Sequence, residues 1–120
     1  MGEIVGAAVV SHVPPIVMPE ALRREMNDGN DFSLVEGLHR LRAECLERLQ
    51  PDTIVVLDTH WFTTVEHVIS AHERRTGKFT SDELPRGMAQ VPYDMPGDPD
   101  LALMVEALAA GRVDTRVLAS

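Results

Sequence analysis

Two short valine-rich runs, each closed by a histidine, constrain this 120-residue chain more than any other feature. Glu3 to Val10 reads EIVGAAVV and is followed by Ser11, His12 and the pair Pro14-Pro15. Thr53 to Asp58 reads TIVVLD and is followed by Thr59, His60 and Trp61. Both runs are apolar on successive rather than alternate residues, which predicts strands buried on both faces, as in the middle of a parallel sheet. After the first run the prolines lack backbone donors and push their neighbours toward extended geometry, so a loop follows.

The segment between the runs predicts a helix. Asn27 to Ser33 (NDGNDFS) is rich in turn formers, and Ser33 with Glu36 has the spacing of a capping box. From there to about Leu49 the apolar positions Leu34, Leu38, Leu41, Cys45 and Leu49 recur at helical spacing, while Arg40, Arg42, Glu44, Glu47 and Arg48 can stay wet. Pro51 stops the helix. Strand, helix, strand in this order predicts a right-handed βαβ crossover with its two strands parallel and adjacent.

Further along, Val65 to Ala71 predicts a third strand, and Glu73 to Gly97 a long surface or active-site loop. Asp98 and Pro99 then cap and open a helix with Leu101, Met104, Val105 and Leu108 on its inner face, ended by Gly111. Val113 to Leu118 predicts a last strand. The class is α/β, with βαβ units and a central, mostly parallel sheet flanked by helices in a single domain over residues 1–120. A mid-sheet strand needs cover on both faces, and two residues after Leu118 supply little, so the chain reads as truncated at its carboxyl end.

Charge and motif content exclude several functions. A net charge of -8 with scattered basic residues argues against nucleic acid as a partner. The apolar run Ile4 to Val10 is too short to span a membrane and lacks the basic flank of a signal peptide. A single cysteine, Cys45, fits a reducing, cytoplasmic setting and falls on the helix's apolar stripe, where a thiol packs as a small hydrophobe. G-x-G-x-x-G, Walker, G-x-S-x-G, H-E-x-x-H and paired C-x-x-C motifs are all missing.

Ligands of open α/β sheets bind beyond the carboxyl ends of the strands, and His12 and His60 both fall there. Adjacent strands lie about 5 Å apart, which lets imidazoles from two neighbouring strand ends share a small metal ion. Two imidazoles plus a carboxylate form a facial triad that leaves positions on iron(II) open for substrate and oxygen. Asp58, two residues before His60, suits an acceptor that fixes an imidazole tautomer better than a direct ligand. His39 belongs to the wet side of the first long helix, and His67 and His72 lie in or after the third strand, where position alone makes each a minor candidate for the site.

At Ser11-His12-Val13-Pro14 and Asp58-Thr59-His60-Trp61, with Thr80 to Pro85 (TSDELP) in support, the chain resembles the class III extradiol dioxygenases. The likeness is strongest to the branch acting on homoprotocatechuate (3,4-dihydroxyphenylacetate) and covers essentially the whole chain, as the family's amino-terminal part. The resemblance implies a non-haem Fe(2+) enzyme, with Mn(2+) the alternative, that opens a catechol with O2 to a semialdehyde. His12 and His60 match its two iron-binding histidines. Its third ligand, a glutamate, and its acid-base histidine have no matching position here, so the isolated piece is expected to be inactive. Glu83 or Glu20 could in principle substitute for the glutamate, though no spacing argument favours either. Trp61 and Phe62 are candidates for the wall of an aromatic pocket, or for packing on the sheet. A homo-oligomer follows from likeness alone.

Three other readings stay open on the residues. A non-catalytic binding or scaffold relative on the same fold is one, and a metal-dependent hydrolase using a zinc-bound water is another. A nucleotide-binding βαβ protein is the third, disfavoured because SHVPPIV lacks the glycines that let a backbone approach phosphate.

Overall fold

The computed structural model describes residues 2–60, 63 and 65–119. Internal contacts divide the chain into two compact units, Met1–Asp52 with Phe79–Val91 and Thr53–Lys78 with Pro92–Ser120.

In the first unit, a 3-10 turn at Pro14–Val17 precedes α1 (Glu20–Met26) and α2 (Ser33–Leu41). A π turn at Arg42–Leu46 and α3 (Glu47–Leu49) continue α2 without a break. The predicted helix over Ser33 to Leu49 is therefore present, and Leu34, Leu38, Leu41 and Cys45 are half-buried along one side, with His39 exposed. Leu49 departs from the stripe and is exposed, just before Gln50 closes the helix at φ 46°. The expected capping box does not form. Phe32 occupies the cap position without a side-chain cap bond, because Asp31 rather than Ser33 organises the entry by accepting the Phe32 N–H at 2.7 Å. Met18 is the buried apolar centre of this unit, and Gly87 lies against it. A Cβ at Gly87 would come within 3.0 Å of the Met18 side chain, so the close approach needs a glycine.

The second unit carries the α/β core. β1 (His67–Ser70) and β4 (Thr115–Leu118) pair in parallel, His67 opposite Thr115 and Ser70 opposite Leu118. Between them in sequence lies α4 (Pro99–Ala109), which packs on both strands. The cap predicted for α4 is in place, with Asp98 Oδ1 accepting the Leu101 N–H at 3.0 Å and Pro99 in the first turn. Its inner face differs from expectation. Ala102 is buried and Leu101, Glu106 and Ala109 are half-buried, whereas Met104, Val105 and Leu108 are exposed. The segment LALMVEALA is apolar nearly all round, so periodicity does not select a face, and the alanines permit the closest approach to the two strands.

Two expected strands are not formed. Glu3 to Val10 and Thr53 to Asp58 join no sheet, and Ile4, Val9 and Leu57 are 89%, 103% and 95% exposed. The parallel pair flanking a helix is β1 with β4 instead. A strand of the middle-of-sheet type is held by partners on both edges and cover on both faces, and the described residues give these two runs neither. The expected loop from Glu73 to Gly97 contains a hairpin, β2 (Arg74–Phe79) paired with β3 (Val91–Pro96). Gly97 N–H donates to Glu73 O at 2.8 Å and Ser81 N–H to Met88 O at 2.9 Å, so the partners run in opposite directions.

Candidate metal centre

His12 lies in the first unit, exposed, in the irregular segment that leads into Pro14–Val17. Val13 ends that approach in extended geometry, and its carbonyl accepts the Ile16 N–H at 3.1 Å, so the prolines close the loop as their chemistry requires. His60 lies in the second unit, after the run Thr53 to Asp58. Both keep their positions after the valine-rich runs, although those runs are not strands here.

Around His60 the local geometry is definite. One oxygen of Asp58, Oδ1, accepts the backbone N–H of His60 at 3.0 Å and lies 2.7 Å from His60 Nδ1. The hydrogen bond from the His60 ring, followed by that from its backbone N–H, holds the Asp58 carboxyl below its ordinary pKa. Asp58 thus touches His60 at both its ring and its backbone. Trp61 and Phe62, the other pocket candidates, lie outside the described residues.

A divalent ion of borderline softness suits imidazole donors, and a carboxylate behind one of them is the usual support for such a ligand. The described residues gather no cluster of three His, Cys, Asp or Glu side chains. Among the described residues, the arrangement that suits one imidazole ligand of such an ion is His60 with Asp58 behind it. Glu20 Oε1 accepts from Arg24 Nε at 2.8 Å on the surface of α1.

One feature was not anticipated from sequence. At the carboxyl ends of β1 and β4 an open hollow of about 470 Å³ is lined by Ala71, His72, Glu73, Arg74, Pro99 and Ala119. Within it His72 Nδ1 lies 3.0 Å from Ser70 Oγ, and Arg74 is committed to Asp94 through two contacts of 2.6 Å. The signal that points to it is the rule that open parallel sheets place hollows at their carboxyl ends, applied to the strands that form rather than to the two valine-rich runs.

Comparison with known proteins gives a consistent picture. A family model described as the catalytic LigB subunit of aromatic ring-opening dioxygenase matches residues 6–119. A 3,4-dihydroxyphenylacetate 2,3-dioxygenase of Escherichia coli is 32% identical over 113 residues, covering 92% of this chain and 40% of that protein. The chain thus spans about 40% of the length of this relative.

Proposed function

This chain belongs to the LigB family of aromatic ring-opening dioxygenases, and we propose that it forms the amino-terminal part of an extradiol catechol dioxygenase domain. In this reading His12 and His60 are two ligands of an Fe(2+) ion, with Mn(2+) the alternative. The substrate is 3,4-dihydroxyphenylacetate or a related catecholic acid, as the name of the E. coli relative suggests. A soluble homo-oligomer in the cytoplasm is the expected setting, and no helix among the described residues is long and apolar enough to cross a membrane.

The reaction adds both atoms of O2 to the catechol and breaks the ring bond beside a hydroxyl-bearing carbon, giving a semialdehyde with no outside reductant. The metal, when bound, supplies the electronic path that lets a ring and oxygen react, chemistry that protein side chains lack. The residues of this chain bind and orient. His12 and His60 supply neutral nitrogen donors, and Asp58 fixes the direction of the His60 ring. Trp61 and Phe62 follow His60 directly in sequence and are proposed to wall the aromatic substrate. Proton transfer and the third ligand are assigned to no residue of this chain.

The observation that carries this reading is the Asp58-supported His60 within a chain that the family matches over residues 6–119. Its test is a chimera in which this chain replaces the matched stretch of the E. coli relative, purified, checked for folding and loaded anaerobically with Fe(2+). Addition of 3,4-dihydroxyphenylacetate should consume one O2 per catechol and give a yellow ring-opened product. His12→Ala and His60→Ala should each abolish turnover, by at least ~10³-fold, through loss of metal. A folded, iron-loaded chimera that consumes no oxygen with any catechol would overturn the assignment. The 120-residue piece alone is expected to show no turnover, because two imidazoles without the carboxylate hold the metal weakly.

A further inference from the structure

We propose that Asp58 is a positioning residue for His60, holding the imidazole as its Nδ1–H tautomer so that Nε2 is the nitrogen offered to a metal. The inference rests on the reading of His60 as a ligand and deepens it. An ionised carboxylate only accepts hydrogen bonds, so the ring nitrogen 2.7 Å from Asp58 Oδ1 must carry a proton. In the neutral ring that leaves the lone pair on Nε2, the ring atom farther from the main chain.

A single hydrogen bond between side chains that are both 60% exposed would compete poorly with water. Here the same oxygen also takes the His60 backbone N–H, two residues on, which closes an Asx turn around Thr59. Backbone and ring are tied to one atom, so forming the second bond orders little that the first has not already ordered. The negative charge behind the ring also makes Nε2 a better donor to a cation.

The test uses the 15N-labelled chain and does not depend on turnover. Long-range proton–nitrogen correlation at a pH where the ring is neutral should show His60 as Nδ1–H in the wild type. Asp58→Ala should shift the population toward Nε2–H, whereas Asp58→Asn, which keeps an acceptor oxygen, should retain Nδ1–H. Co(2+) affinity should fall about 10- to 100-fold in Asp58→Ala and by less in Asp58→Asn. An Nε2–H ring in the wild type, with Co(2+) binding lost in His60→Ala, would overturn this inference and leave the metal site standing. An Nδ1–H ring with Co(2+) affinity indifferent to His60→Ala would instead overturn the metal site on which it rests.

Discussion

Asp31 takes Arg23 Nε at 2.6 Å and Nη2 at 2.8 Å, and its Oδ1 also accepts the Phe32 N–H. Arg23 is only 11% exposed, which sets this ion pair apart from the open pairs on α1 and α2. The Arg23 hydrogen bond is the main cause that holds the Asp31 carboxyl down to about 2, from an ordinary 3.8. With the folded value below the unfolded one, the pair's contribution is whole above pH 3.8 and is lost as pH falls through about 2. Urea midpoints measured across that window should fall steeply in the wild type and less in Asp31→Asn, whose stability is already lower at neutral pH. Asp98 is the second residue with a local, separable role. Asp98→Ala removes the acceptor for Leu101 N–H and should cost about 1 kcal/mol by chemical denaturation, while Asp98→Ser should be close to neutral. Asp98 was legible in the sequence because a cap acts over three residues and Pro99 marks the start. The box at Ser33 was a false signal, since Asp31 had already taken over the entry to α2.

Among the elements, the β2–β3 hairpin was illegible for a physical reason. Its residues, RRTGKF and VPYDMP, are exposed on nearly every position, so no apolar alternation records the strand period. The hairpin is held by cross-strand pairs instead, Arg74 with Asp94 and the Tyr93 ring lying across Gly77. A Cβ at position 77 would fall 2.6 Å from the Tyr93 hydroxyl oxygen, so the ring fills the space a side chain would take. Gly77→Val should therefore destabilise by about 1 kcal/mol in the wild type, yet be neutral or stabilising in a Tyr93→Ala background, where β-propensity alone acts. A double-mutant cycle read by denaturation midpoints checks the change of sign. By contrast the helix over Ser33 to Leu49, the capped α4 and the strands near His67 and Thr115 were legible, because each is specified by neighbours in sequence. The runs Glu3 to Val10 and Thr53 to Asp58 were not, since a mid-sheet strand is specified by what lies beside it.

Taken as a molecule, the chain leaves large apolar residues of those two runs in solvent, with Ile54, Val55 and Val56 exposed beside Leu57. Large apolar side chains exposed one after another, as from Ile54 to Leu57, are the kind of surface that other protein covers. The 120-residue chain should accordingly bind a hydrophobic dye such as ANS strongly, and the chimera with the remainder of the E. coli relative should bind it weakly; equal dye binding would argue that the runs are solvated by design. The candidate ligands were read from position after the runs, His12 by SHVPP and His60 by DTHW, and the structure adds to that reading the Asp58 contact at His60. Their convergence on one ion is the central claim, and a Co(2+) titration of the chain, followed at the ring protons of both histidines, tests it most directly. One shared site predicts superimposable titration curves at His12 and His60, each lost when the other histidine is replaced by alanine. Two curves with different midpoints, each surviving loss of the other ring, would contradict it.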